Sequence, residues 1–257
     1  MRFRSLGSGS SGNATLVEAT SGTLVTRLLI DCGMGLRQLD ARLETVGLLA
    51  EQIDAIFITH EHSDHVGCAL PLSLRHRIPV WMSQGTHSAI GAPDFDGLLR
   101  IASDADTIDL GAIEITPFTV PHDAREPLQL TCSNGDRRLG VLTDLGHASA
   151  HVLQHLSNCH ALLLECNHDR PMLAASRYPD FLKRRVGGPY GHLANEAAAA
   201  IVRSVMHQGL GHVVAAHLSL QNNRPGLAQL ALANALGRSA CDITTADALR
   251  GTEWISV

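Results

Sequence analysis

A chain of 257 residues that is 45% hydrophobic can bury a full core, and its net charge of −5 excludes the global basic field that draws a protein non-specifically to nucleic acid. No run approaches the ~18 apolar residues needed to cross a bilayer, and no apolar segment follows Arg2 and Arg4, so the expectation is a cytoplasmic protein with no membrane partner. Cys32, Cys68, Cys132, Cys159, Cys166 and Cys241 form no C-x-x-C pair, which points to reduced thiols, while fifteen histidines against five Phe, two Trp and two Tyr invite a search for metal ligands.

In chain order, short strands come first, over residues 2–6, 14–19 and 23–30, each bounded by Gly or Ser clusters. Between the first two, Gly7-Ser8-Gly9-Ser10-Ser11-Gly12 fits the dinucleotide pattern G-x-G-x-x-G, and Asp31 lies about 20 residues on, where a ribose-binding carboxylate would stand. The pattern fails in context. Its third glycine must open a helix, whereas Asn13 to Glu18 alternates as a strand, so the stretch reads as a turn. An amphipathic helix over residues 36–46 carries Leu36, Leu39 and Leu43 at helical spacing, and the apolar strand 53–59 follows. The spacing predicts a helix over about residues 64–75, broken near Pro71, then a strand at 79–82. Residues 108–120 alternate, with 129–132 and 138–143 as strand partners; helices at 148–155 and 194–207 enclose a strand at 161–165. A buried strand at 212–217 precedes an Ala/Leu-rich helix at 225–236. No linker, repeat or charge run divides the chain, so residues 1–257 read as one α/β domain.

The chemistry concentrates in Ile53-Asp-Ala-Ile-Phe-Ile-Thr-His60-Glu-His62-Ser-Asp64-His65. An apolar strand delivers a polar loop on which His60 and His62 project to one side, and Asp64 and His65 follow at a helix start. Four imidazole and carboxylate donors so close together can serve two divalent cations. This H-x-H-x-D-H stretch resembles the signature of the metallo-β-lactamase fold. Other positions resemble that superfamily's remaining motifs in order: Asp31 in Leu28-Leu-Ile-Asp31-Cys-Gly, His122 in Val120-Pro-His122-Asp, Asp144 in Leu142-Thr-Asp144-Leu-Gly, and His217 in Ala215-Ala-His217-Leu-Ser. The resemblance implies an αββα sandwich in which His60, His62 and His122 hold one ion, Asp64, His65 and His217 hold a second, and Asp144 touches both. Asp31 and Asp123 would support these ligands from behind. His and carboxylate ligands suit Zn²⁺, Mn²⁺ and Fe²⁺ alike.

A closer resemblance covers nearly the whole chain. Ser8-Gly-Ser-Ser-Gly-Asn13, Pro121-His-Asp123, Thr143-Asp-Leu-Gly146, Glu165-Cys-Asn-His168-Asp169, Leu182-Lys-Arg-Arg185, Gly191-His192-Leu-Ala-Asn195 and His217-Leu-Ser219 are similar to the YycJ/WalJ-type branch, bacterial metallohydrolases associated with single-strand or 5′-end DNA exonuclease activity. Gly191-His192 also resembles the histidine loop of tRNA-maturing zinc phosphodiesterases, where such a histidine donates a proton. The stretch between Asp144 and His217 is too short for the large nucleic-acid-clamping insertion of RNase J and Artemis-like enzymes.

The resulting expectation is a dinuclear-metal phosphodiesterase acting on nucleic acid, a 5′-to-3′ DNA exonuclease in repair. Asp64 belongs to its catalytic set, His192 is the first candidate proton donor and His168 the second, and either could instead orient a phosphate. Substrate contacts are expected from Ser10, Ser11 and Asn13 at the first turn, and from Lys183, Arg184 and Arg185. Two other classes stay open: a small-molecule hydrolase acting on a cyclic phosphate, thioester or lactone at the same metals, and a non-catalytic metal-binding regulator. A basic channel to the metals would favour nucleic acid, and a closed apolar pocket a small ester.

Overall fold

The computed structural model describes residues 1–257. The first half builds β1 (Arg2–Gly7), β2 (Ala14–Ser21), β3 (Leu24–Ile30), α1 (Leu36–Glu44), β4 (Ala55–Phe57), α2 (Ser63–Val66), α3 (Ala69–His76), β5 (Val80–Met82), α4 (Gln84–Ala89) and β6 (Leu99–Ile101). The second builds β7 (Ile108–Asp109), β8 (Glu114–Thr119), β9 (Leu128–Ser133), β10 (Arg138–Leu142), α5 (Ala150–Leu156), β11 (Ala161–Glu165), α6 (Arg170–Ala175), α7 (Asp180–Val186), α8 (Asn195–Val205), β12 (His212–Ala216), α9 (Pro225–Leu236), β13 (Thr244–Thr245) and β14 (Ile255–Ser256). Two seven-stranded sheets result, ordered β14-β1-β2-β3-β4-β5-β6 and β13-β12-β11-β10-β9-β8-β7. Each begins with antiparallel hairpins and turns parallel where helices provide the crossovers, at β3/β4 in one and β10/β11 in the other.

Alternation along the strands decides the layers. Val17, Leu28, Ile30 and Phe57 of one sheet meet Leu130, Val141, Leu163 and Val214 of the other in a shared core. Their neighbours point outward: Leu16, Leu29 and Ile56 pack under Leu39, Leu43 and Leu72 of α1 and α3, and Leu162, Leu164 and Ala215 pack under α5, α8 and α9. The order is helix, sheet, sheet, helix, the αββα sandwich. No helix is long and apolar enough to cross a membrane.

The structure departs from the sequence pattern at several places. The chain breaks between α2 and α3 at Gly67, whose φ is +24°, and not at Pro71. Pro71 instead occupies the first turn of α3, where its missing N–H has no intrahelical partner to lose. The short helices α4, α6 and α7 and the edge strands β6, β13 and β14 span too few residues for periodicity to mark them.

Both sheets end their inner strands at one rim. Asp31 directly follows β3, Asp144 lies two residues past β10, and His217 directly follows β12, and all three adopt left-handed backbone with φ of 59°, 62° and 53°. Such conformations are uncommon outside glycine and collect where the surrounding structure holds them for function.

Candidate metal centre

At the rim, the loop after β4 carries His60 and His62 into the gap between the sheets. His60 Nε2 lies 3.0 Å from His62 Nδ1, which lies 3.3 Å from His122 Nε2 in the loop after β8. Three imidazole nitrogens converge on one point. A tetrahedral site with metal–nitrogen bonds of about 2.0–2.1 Å sets its ligand atoms about 3.3 Å apart, so the spacing fits a shared ion. Beside it, Asp64 Oδ2 stands 3.7 Å from His65 Nε2 and 3.6 Å from His217 Nε2. Asp144 lies between, its Oδ2 at 3.0 Å from His65 Nε2 and its Oδ1 at 3.1 Å from His217 Nδ1.

Buried polar atoms without partners test whether a cation fits. Asp144 Oδ2 and His217 Nε2 are both buried and accept or donate no hydrogen bond. An orphan of this kind costs about 1–3 kcal/mol unless something binds it. A carboxylate oxygen and an imidazole nitrogen facing one gap are both metal donors, so the residues present fit a divalent ion.

The backing atoms fix which nitrogen faces the gap. Thr59 Oγ1 lies 3.0 Å from His60 Nδ1, Asp31 Oδ2 lies 2.7 Å from His65 Nδ1, and the Gly191 carbonyl lies 3.1 Å from His122 Nδ1, leaving each Nε2 turned inward. Asp31 also accepts the Thr59 N–H at 2.8 Å, so it clamps the end of β3 to the ligand loop. Gln129 holds β10 similarly, donating to the Thr143 carbonyl and accepting its N–H, one residue before Asp144. Ser8 Oγ accepts the His217 N–H at 2.7 Å and ties the first turn to the second sheet.

Electrostatics divides the histidines. Burial, aided by neighbouring imidazoles, pushes His60 well below its ordinary value, and burial likewise lowers His122, keeping both neutral with free lone pairs. Burial alone would raise the Asp144 carboxyl, yet the charges of His217 and His65 outweigh it and hold Asp144 well below the carboxylate range.

Glu165, at the end of β11, is the residue that the sequence reading did not place in the site. It is fully buried; its Oε1 lies 2.7 Å from His192 Nδ1 and 3.1 Å from His217 Nδ1, and its Oε2 accepts the N–H groups of Leu145 and Leu193. Burial would push this carboxyl up, but the His192 charge and the hydrogen bonds from His192 and His217 bring it down to about 2. Conversely, burial would lower His192, and Glu165 outweighs that and holds it well above its ordinary value. Its signals in the sequence are an acidic residue closing an otherwise apolar strand and its place at the head of the Glu165-Cys-Asn-His168-Asp169 string, neither of which points to a contact with His192 or His217.

His62, Asp64, Asp144 and His217 line an open cleft of about 260 Å³, with His60, His65 and His122 behind them, and its other walls include Ser10, Asp123, Asn167, Tyr178, Arg185, His192 and Asn222. Asp123 accepts from Arg185 Nε at 2.6 Å. Ser11, Asn13, His168, Lys183 and Arg184 do not line it. Asn13 is buried, its amide nitrogen 3.1 Å from the Asp64 carbonyl and 3.0 Å from His65 Nε2, so it holds the ligand loop. Lys183 donates back to the Ala174 carbonyl, and His168 is buried at a bridge to Ala194. Asn222, which lines the cleft, is buried with both side-chain polar atoms unpartnered. Away from the cleft, Asp104, His151 and His155 also bring three ligand atoms within 4.8 Å.

The model of the β-lactamase superfamily domain matches residues 26–218, which span every one of these ligands. The chain belongs to the metallo-β-lactamase-fold superfamily. Within it, the chain is similar to the exodeoxyribonuclease YycJ of Bacillus anthracis, 33% identical with 98% of this chain and 96% of that protein covered. It is also similar to the exodeoxyribonuclease WalJ of Streptococcus pneumoniae serotype 2, 30% identical over 93% and 89%. Among solved structures, the metallo-β-lactamase fold protein YhfI of Bacillus subtilis superposes with a TM-score of 0.75 over 99% of both chains at 17% identity, which speaks to the fold. This superfamily member is a metal-dependent hydrolase.

Proposed function

We propose that the protein is a dinuclear-metal phosphodiesterase that removes nucleotides from the 5′ end of single-stranded DNA. The observation that carries this reading is the convergence of seven donor residues, four of which (His62, Asp64, Asp144 and His217) line an open cleft walled mostly by polar residues and edged by Arg185. A closed apolar pocket, which a small ester would want, is not what surrounds these donors. The names of the full-length relatives, both exodeoxyribonucleases, support the same direction.

In this reading His60, His62 and His122 would hold one ion and Asp64, His65 and His217 a second, with Asp144 available to either. Zn²⁺, Mn²⁺ or Fe²⁺ held there would supply a lowered water pKa and positive charge at the attacking and leaving oxygens of a phosphodiester. His192 gives the leaving 3′-oxygen its proton. Its Nδ1 is engaged by Glu165, its ring reaches the cleft, and the Glu165 carboxylate keeps it charged at neutral pH. His168, walled off from the cleft, acts through the packing of the 165–195 segment and not on substrate. Ser10 and the Asn222 amide face the space where a phosphate would lie, and Arg185 can meet it at the rim.

The test is hydrolysis of 5′-phosphorylated single-stranded DNA by protein reconstituted with Mn²⁺ or Zn²⁺. Asp64→Ala and Asp144→Ala should each abolish it. No turnover of any oligonucleotide by the metal-loaded protein would defeat the proposal.

A further inference from the structure

The cleft is short and the chain has no clamping insertion, yet a polymer must be gripped beyond its terminal nucleotide. Aromatic placement offers a route. Among the nine Phe, Trp and Tyr side chains, only Phe181 and Tyr190 are exposed, at 66% and 60%; the others lie in the cores or are half-covered. Both lie in the 169–191 segment, whose Tyr178, Leu182, Arg185, Val186 and Gly191 line the metal cleft, and each is next in sequence to a lining residue. Phe181 sits one turn before Arg185 on α7, hence on the same helix side, and Arg185 lines the cleft and pairs with Asp123. The Tyr190 carbonyl accepts the Asp123 N–H at 2.9 Å. Phe181 thus lies one helical turn from one member of an ion pair, Arg185, and the Tyr190 backbone meets the other, Asp123.

Charge gathers in the same place. In a chain of net −5, the 169–191 segment carries Arg170, Arg177, Lys183, Arg184 and Arg185 against Asp169 and Asp180. Arg184 is exposed and makes no ion pair. No side chain of α7 is buried, so core packing does not explain what this helix displays. Exposed aromatics in one segment with several cations, of which Arg177 and Arg184 make no ion pair while Arg170 pairs with Glu196 and Arg185 with Asp123, match what a single strand offers, with unstacked bases for the rings and phosphates for the arginines.

Resting on the nuclease reading above, we propose that Phe181 and Tyr190 form a stacking lip beside the Arg185–Asp123 pair, on which the bases of a single strand rest as its end enters the metal cleft. The lip reads no sequence, because every base presents a face to stack. It favours single strands, because duplex bases are already stacked on each other.

The test uses metal-loaded wild type, Phe181→Ala, Tyr190→Ala, Phe181→Trp and Arg184→Ala. Binding is read by anisotropy on a fluorescent, 5′-phosphorylated single-stranded DNA whose phosphorothioate linkages resist cleavage. Each ring-to-alanine change should weaken binding by about tenfold. Phe181→Trp should retain it, and hydrolysis of bis(p-nitrophenyl) phosphate, which has no bases to stack in a strand, should be unchanged. Arg184→Ala should lower the dependence of affinity on salt while the ring variants leave that slope intact. If the wild type binds the resistant strand but cuts no natural one, the nuclease reading falls and the lip stands. If it cuts natural strands while Phe181→Ala and Tyr190→Ala bind as tightly as wild type, the lip falls. Absence of wild-type binding overturns the lip, and the nuclease reading falls with it only if no natural strand is cut.

Discussion

Glu165 shows how one buried carboxylate organises a site through its neighbours. It contacts His192 and His217 and fixes two backbone N–H groups beside them. Its charge raises His192, so a donor role for His192 persists through neutral pH and is lost as pH rises through that elevated value. Glu165→Gln removes the anion, and the falling limb of the pH–rate profile on oligonucleotides should move to lower pH; an unmoved limb would take the donor role away from His192. Asp31 acts similarly on His65. Asp31→Asn leaves the ring in place but weakens its orienting hydrogen bond, and chelator competition should show metal affinity down by about 10–100-fold. The candidate ligand residues could be picked out of the sequence because they stand in recognisable strings that follow apolar strands, and the fold brings their side chains together. The role of Glu165 was not legible, since a single acidic residue closing an apolar run looks the same whether it faces solvent or a histidine.

At the scale of elements, close backbone approach sets the geometry. A Cβ at Gly33 would lie 1.7 Å from the Asp64 carbonyl oxygen, so the loop after β3 can lie against the ligand loop only without a side chain. Gly33→Ala should push α2 outward, abolishing metal-dependent activity while far-UV circular dichroism still reports both sheets. Full activity in that variant would mean that the two loops are not coupled. α9 could be read from its unbroken Ala/Leu-rich run, and the paired strands β9 and β10 from their short apolar runs. The break at Gly67 could not, because it follows from the contact of this glycine with the 32–34 loop, which only the folded chain brings near. The 7–12 turn changed its meaning likewise: a glycine-rich string beside two strands became the brace whose Ser8 hydroxyl holds the His217 backbone.

For the whole molecule, the metal centre joins two sheets whose shared core already holds them together, so folding and metal binding are linked without being the same event. Ligand atoms that stand orphaned in the protein gain partners on binding, and saturation at about 100 times Kd should add about 2.7 kcal/mol of stability. The melting temperature should therefore rise with Mn²⁺ or Zn²⁺ and return with a chelator. Without metal, the acid limb of stability carries Glu165. Its folded value of about 2 lies below the ordinary carboxylate range, so its contribution is complete above that range and fades as pH falls toward 2. Glu165→Gln should flatten that limb in chelator-treated protein. The most direct measurement of the central claim follows a single DNA strand carrying a 5′-phosphate, labelled at one end or the other, during digestion by metal-loaded protein. A 5′ label should leave at once in mononucleotides while a 3′-labelled strand shortens step by step; release from the 3′ end first, or no release from either, would contradict it.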